Sequence, residues 1–170
     1  MSAAAVIDAL EFARAQQELR GSLPVASLKR LEDVLFDGEG TVEYLIRGSR
    51  DDRNRPQLEL EISGGLHLQC QRCLGLLEFR MAERNRLLVV QQGDDPEEDI
   101  DDPDASDTIE ATPELDVAGL IEEEVLLSLP LAPRHAEGTC QSRIGSRLEG
   151  AEPPKPFAEL AALMRPRKTS

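Results

Sequence analysis

The middle of the chain alternates apolar and polar residues with a period of two, and this pattern narrows the possible folds more than any other feature. The apolar positions are Val42, Tyr44, Ile46, Leu58, Leu60, Ile62, Leu66 and Leu68. Such alternation is typical of strands with one buried face, and the polar stretch at 49–56 is typical of a hairpin loop. A further strand is predicted over residues 77–90. Together these segments predict an antiparallel sheet, with Gly64 and Gly65 marking a bulge or turn.

A short amphipathic helix is predicted before the sheet. Its apolar residues recur at helical spacing, at Leu28, Leu31, Val34 and Leu35. Ser27 is a suitable N-cap, and the helix is expected to end before Asp37. Residues 21–24 contain Gly and Pro and indicate a break, while residues 6–19 do not distinguish a strand from a helix.

A second helix is predicted after the sheet, following a short strand near Ile109. Its apolar residues are Val117, Leu120, Ile121, Val125 and Leu129. Asp116 or Thr112 can cap its N-terminus, and Pro130 ends it. The three consecutive glutamates at 122–124 fan out around the helix axis and so do not converge on one substrate. They are predicted to form a solvated face.

The formal charge of −14 at pH 7 is concentrated in one segment. Twelve of the 33 acids lie between Asp94 and Asp116, and the rest of the chain carries 21 acids against 19 bases. Residues 94–107 are too acidic and too poor in apolar side chains to fold, so they predict a disordered loop. The overall charge excludes a basic coat for nucleic acid but leaves local contact with RNA open.

One domain of α+β class is therefore expected, mostly antiparallel sheet with a few short helices. Residues 1–93 are expected to hold an N-terminal helix and the sheet with the hairpin at Cys70 and Cys73, and residues 94–107 the acidic loop. Residues 108–170 are expected to hold the glutamate-rich helix, the segment with His135 and Cys140, and a flexible basic tail. A short helix over residues 156–163 is expected to dock on the sheet. No membrane-spanning run or signal peptide is found, so a cytoplasmic protein without membrane contact is expected.

All three cysteines lie in two short motifs that also include a histidine. Cys70 and Cys73 form a C-x2-C pair, and His135 is followed by Cys140. A Cys3His set leaves no ligand position for water, which is typical of a structural zinc site. Two alternatives stay open, namely cysteines that are structural without a metal and, less favoured by the context, a redox pair.

Basic residues form two candidate surfaces for RNA. One surrounds the cysteine pair and consists of Arg72, Arg80, Arg84 and Arg86, and the other is Arg165, Arg167 and Lys168 near the C-terminus. Phosphate binding requires such charges on one face, which the sequence alone does not show, and solvated surface charges are the alternative. The sequence has no P-loop, G-x-S-x-G or G-x-G-x-x-G motif, so no enzyme activity is expected.

Several blocks in this order and spacing resemble the YceD family of large ribosomal RNA subunit accumulation proteins. The blocks are residues 70–74, residues 119–135, Cys140 and residues 156–163. The resemblance maps the family's cysteine motif onto Cys70 and Cys73, and its later His and Cys onto His135 and Cys140.

The resemblance implies a cytoplasmic bacterial ribosome-biogenesis factor without catalytic activity. Its role would be in the synthesis, processing or accumulation of 23S ribosomal RNA, and its partner would be that RNA or a large-subunit ribosomal protein rather than DNA. The alternative is an adaptor that binds a basic ribosomal protein through the acidic segment without touching RNA. Zinc, bound by the three cysteines and His135, is the one cofactor that the sequence indicates.

Overall fold

The computed structural model describes residues 5–91, 93 and 107–140. In chain order the elements are β1 (Val6–Ile7), α1 (Ala9–Arg14), β2 (Glu18–Pro24), two 3-10 helices (Val25–Ser27 and Lys29–Leu31), β3 (Thr41–Arg50), β4 (Pro56–Gln69), β5 (Leu76–Val90), β6 (Asp107–Glu110), β7 (Leu115–Asp116) and α2 (Val117–Ser128). The predicted α+β class, mostly antiparallel sheet with short helices, is confirmed.

The main sheet has five strands in the order β2-β3-β4-β5-β6. Strands β2 to β5 form an antiparallel meander, whereas β6 pairs in parallel with the last four residues of β5. A second, two-stranded sheet joins β1 to β7 immediately before α2. The predicted strand near Ile109 is β6, and the predicted hairpin loop is the turn between Asp51 and Arg55.

The main sheet has an apolar inner face and a polar outer face, as the period-two pattern predicts. The inner face contributes Val42, Ile46, Leu58, Leu60, Ile62, Leu66, Leu68, Met81, Leu87 and Val89 to the core. The helices contribute Ala9, Phe12, Ala13, Val117, Leu120, Ile121 and Val125 to the same core. Each large aliphatic side chain buried there stabilises the fold by about 1.5–3 kcal/mol, and this burial holds the helices on the inner face of the sheet.

The bulge predicted at Gly64 and Gly65 is wrong. Strand β4 keeps one register with β5 through both positions, and Gly64 also pairs with Val42 of β3. A Cβ atom at Gly64 would lie 2.8 Å from the carbonyl oxygen of Thr41. Glycine is therefore needed there for a close approach of β3 rather than for a bulge.

The short helix predicted to start at Ser27 is also wrong. The chain forms two single 3-10 turns, which place Leu28 and Leu31 in the core because a 3-10 helix repeats every three residues. After a turn at residues 32–34, the chain pairs with the end of β4, where Leu35 bridges to Leu68. Because the backbone groups of this segment bond to β4, they are not available for the hydrogen bonds of the predicted helix.

The break predicted at residues 21–24 is instead part of strand β2. Gly21 lies opposite Tyr44 of β3, and any Cβ at Gly21 would overlap the Tyr44 ring and hydroxyl. The glycine thus accommodates a large cross-strand neighbour.

Helix α2 begins as predicted at the N-cap Asp116, whose side chain accepts a hydrogen bond of 3.0 Å from the Ala118 backbone N–H. The glutamates on its polar side differ from one another, because Glu124 is only 5% exposed. The prediction of a uniformly solvated face is therefore wrong at Glu124. Within the described part of the chain, no helix is both long and apolar enough to cross a bilayer.

Several predictions fall outside the described residues. They concern the acidic loop up to residue 106, the C-terminal tail with its docking helix at 156–163, and the basic residues Arg165, Arg167 and Lys168. The arrangement of the whole chain as one domain stays a prediction.

Candidate metal centre

The C-x2-C motif forms the turn between β4 and β5. The Cys70 N–H donates to the Gly75 carbonyl at 2.9 Å, and the Leu74 N–H donates back to the Cys70 carbonyl at 2.8 Å. Leu74 adopts a left-handed backbone conformation with φ of 57°. This tight reversal brings both cysteines of the motif to the same end of the sheet, with Cys70 fully buried and Cys73 partly exposed.

The second motif reaches the same end of the sheet from α2. Beyond the helix, the Pro133 carbonyl accepts a hydrogen bond of 2.9 Å from the Gln71 N–H, which attaches the segment to the C-x2-C turn. The Thr139 side chain and backbone N–H both donate to the Ala136 carbonyl and close a second turn before Cys140. His135 and Cys140 are thereby placed beside the first cysteine pair.

The four predicted ligands converge on one point. Their ligand atoms, three Sγ and the His135 Nδ1, all lie within 4.8 Å of one another. The Cys70 and Cys140 sulfurs are 3.7 Å apart, and Nδ1 lies 3.5 Å from the Cys73 sulfur and 3.6 Å from the Cys140 sulfur.

These separations fit a tetrahedral ion. With Zn–S bonds of about 2.3 Å and Zn–N bonds of about 2.0 Å, the edges of a zinc tetrahedron are about 3.8 Å between sulfurs and about 3.5 Å between sulfur and nitrogen. The observed S–S and S–N distances agree with these values to within about 0.1 Å. The four side chains can therefore hold a metal ion.

The His135 ring is oriented for ligation. Its Nε2 lies 2.8 Å from the Leu76 carbonyl oxygen, which can only accept a hydrogen bond. In the neutral ring the proton is therefore on Nε2, and the lone pair of Nδ1 faces the sulfurs. A backbone partner that fixes the tautomer in this way is a common feature of metal-binding histidines.

The electrostatics around Cys70 favour a thiolate. Burial raises the pKa of the Cys70 thiol, but the backbone N–H groups around it outweigh this effect and lower the pKa to about 5. These donors belong to Cys73, His135 and Arg72. At neutral pH the sulfur is charged, which is the form that binds a metal.

The two remaining thiols shift in opposite directions: burial raises the pKa of Cys140, but hydrogen bonds with Arg72 and His135 outweigh it and lower that pKa. The Gly75 N–H lowers the pKa of Cys73, but burial and the other two sulfurs outweigh it and the pKa is raised. The hydrogen bond to the Cys140 sulfur, followed by that to the Leu76 carbonyl, raises the pKa of His135. Cys73 and His135 thus retain protons more readily, because positive charge relieves the repulsion between neighbouring thiolates. A bound metal cation would have the same effect.

Arg72 belongs to this cluster. Its Nε donates to the Cys140 sulfur at 3.0 Å, and its Nη2 donates to the Ala136 carbonyl at 3.4 Å. The hydrogen bond to Cys140 raises the pKa of the guanidinium. The Arg72 side chain is therefore held against the segment that contains Ala136 and Cys140.

Arg80, Arg84 and Arg86 share the outer face of β5, where all three are exposed. The Arg84 Nε lies 3.8 Å from a carboxylate oxygen of Glu61 on β4, and Arg86 is paired in register with Glu59. Arg80 lies opposite Gly65, which has no side chain. The face is a row of three cations with carboxylates beside two of them.

A second group of side chains was not predicted from the sequence. The His67 Nδ1 lies 2.9 and 3.0 Å from the two carboxylate oxygens of Asp37, and Glu39 completes a set of potential ligands. The hydrogen bond with Asp37 raises the pKa of His67. Asp37 is thirty positions away in a segment expected to be a helix end, so no local spacing indicates the pair.

A small sheet protein with a Cys3His cluster at one end of the sheet is the class that the fold and the cluster define. The profile of the family described as "Large ribosomal RNA subunit accumulation protein YceD" matches residues 58–164, more than half of the chain. The chain belongs to the YceD family.

A relative from Haemophilus influenzae supports this assignment. It is 25% identical over 169 residues, which cover 92% of this chain and 93% of the relative, and it is named as a large ribosomal RNA subunit accumulation protein. None of the solved structures matches this chain significantly. The predicted resemblance to the family is confirmed.

Proposed function

We propose that this chain is a non-catalytic factor that supports the accumulation of large-subunit ribosomal RNA by binding that RNA. The name of the Haemophilus influenzae relative supports the process, and the common outer face of Arg80, Arg84 and Arg86 supports the direct contact. The proposal depends on the observation that these three exposed arginines lie on one face. Phosphate groups are attracted to arginines arranged in this way.

The Cys3His cluster has a structural role in this proposal. Cys70, Cys73, His135 and Cys140 hold a zinc ion that ties the segment after α2 to the turn between β4 and β5. Four protein ligands leave no position for a reacting water, so the bound ion supplies cross-linking rather than chemistry.

Salt dependence provides the test of RNA contact. Binding of the full chain to 23S RNA fragments is measured from 50 to 300 mM salt for the wild type and for a triple variant with Arg80, Arg84 and Arg86 changed to Gln. Three phosphate contacts contribute about −2 to the slope of log K against log salt on single strands, so the variant should lose about that amount.

A second triple variant controls for the change in net charge. Arg14, Lys29 and Arg53 are exposed and lie outside the outer face of β5, so their joint change to Gln removes the same charge. This control should keep the wild-type slope. Equal losses in both variants would refute a specific contact through β5.

The adaptor hypothesis gives the opposite result. An adaptor binds a basic large-subunit ribosomal protein and shows no RNA binding even at low salt. Such a result would refute the RNA proposal. Cleavage of RNA by the highly purified chain would refute the non-catalytic part of the proposal.

A further inference from the structure

Arg72 contacts both halves of the proposed metal centre, although it is not one of the four ligands. It lies inside the C-x2-C motif, yet its side chain reaches the other ligand segment, at the Cys140 sulfur (3.0 Å) and the Ala136 carbonyl (3.4 Å). Apart from the four predicted ligands, Arg72 is the one described residue whose side chain is hydrogen-bonded to a sulfur of the cluster.

The charge of a loaded centre makes this contact consequential. A divalent ion bound by three thiolates and a neutral imidazole leaves one uncompensated negative charge. Cys70 is fully buried, whereas Cys140 is partly exposed at the rim, next to the guanidinium. A charge-assisted hydrogen bond at this sulfur is stronger than one between neutral groups, and the fork of the guanidinium allows a second contact with the backbone.

We infer that Arg72 is a positioning residue of the zinc centre, where it compensates the excess negative charge and holds the Ala136–Cys140 turn in place for ligation. The inference rests on the proposed zinc site and removes Arg72 from the RNA-binding surface. Arg80, Arg84 and Arg86 then carry the RNA contact without it.

Two substitutions at Arg72 separate its charge from its geometry. Arg72→Gln removes the charge, and Arg72→Lys keeps the charge but not the two-pronged contact. Because Arg72 is exposed, neither substitution disturbs the core. Arg53→Gln, in the exposed turn between β3 and β4, is a matched control for the loss of one arginine.

The experiment measures zinc affinity of the full chain by competition with a chromophoric chelator, and the absorption spectrum after loading with Co²⁺. Removing an outer partner of a metal ligand weakens metal binding by about 10–100-fold. We expect a loss in this range for Arg72→Gln, a partial recovery for Arg72→Lys, and wild-type affinity for Arg53→Gln. The Co²⁺ spectrum of Arg72→Gln should still show tetrahedral thiolate coordination.

RNA binding of the zinc-saturated Arg72→Gln variant completes the test and should equal that of the wild type. Wild-type zinc affinity in Arg72→Gln would overturn the inference, and weaker RNA binding together with unchanged zinc affinity would return Arg72 to the RNA surface. If the wild type itself binds no zinc, the proposed zinc site fails and the inference fails with it. The RNA proposal is then judged separately by its salt dependence.

Discussion

Cys73→Ser should destabilise the zinc-loaded protein by weakening a cross-link between distant parts of the chain. Cys73 and His135 are 62 positions apart and meet at the cluster. In the chain-entropy treatment of a cross-link, closing a loop of this length stabilises the folded state by about 4 kcal/mol at 25 °C. This magnitude is a large part of the roughly 5–15 kcal/mol by which such proteins are stable.

Cys73 is the suitable position because the substitution itself costs little. Its side chain is partly exposed, so a serine there keeps its contact with water, whereas a serine at the fully buried Cys70 would also bury a hydroxyl group. The difference between the variant and the wild type therefore reports mainly on the metal.

Urea denaturation followed by circular dichroism measures the effect, with each protein zinc-loaded and after treatment with a chelator. We expect the chelator to lower the free energy of unfolding of the wild type by about 4 kcal/mol. Cys73→Ser keeps three ligands and holds zinc more weakly, so it should start below the zinc-loaded wild type and lose less stability on chelation than the wild type does. A wild type whose stability is the same with and without chelator would refute the cross-linking role.

Three further predictions concern the fold. Gly48→Ala should lower the free energy of unfolding by about 1–3 kcal/mol, because its Cβ would overlap the backbone of α1. Gly65→Ala is the control, because the structure has no neighbouring atom within 4 Å of a Cβ at that position. Equal urea midpoints for the two variants would contradict this prediction. Burial raises the pKa of Glu124 above 4.5, so the stability that its protonated form contributes is lost as the pH rises through that pKa. Glu124→Gln should therefore be more stable than the wild type at pH 7 but not below pH 4.5, and the opposite order would contradict this. The Asp37–His67 hydrogen bond raises the pKa of His67 above 6.5 and lowers that of Asp37 below 3.8, so it stabilises the fold most between these pH values. From pH 5.5 to 8.5 the melting temperature of Asp37→Asn should therefore fall less than that of the wild type. Parallel profiles would contradict a stabilising pair.

The sequence predicted the parts of the fold in which one residue pattern dominates. Strands β3 and β4 were predictable because their apolar residues alternate over many positions and one face is buried. Strand β2 was not predictable, because Gly21 provides no apolar side chain at its inward position. The Gly, Ser and Pro residues at 21–24 are also typical of a turn. The helix expected after Ser27 failed because apolar residues spaced by three also suit 3-10 turns.

The proximity of the four Cys and His side chains was predictable, but their surroundings were not. Metal ligands have restricted types and spacings, so Cys70, Cys73, His135 and Cys140 are visible in the sequence. The direction of the Arg72 side chain is not, because an arginine in a turn can point to solvent, to RNA or across the turn. Likewise nothing in three consecutive glutamates shows that only the last is buried against Asn85, to which it is hydrogen-bonded.

Crosslinking in living cells tests the central claim most directly. The chain is irradiated with ultraviolet light in cells, bound RNA is sequenced, and crosslinked peptides are identified by mass spectrometry, for the wild type and for the triple Arg-to-Gln variant at positions 80, 84 and 86. The proposal predicts 23S RNA crosslinked to the β5 peptide in the wild type and lost in the variant. Recovery of a large-subunit ribosomal protein without RNA, or of the same RNA with both proteins, would contradict it.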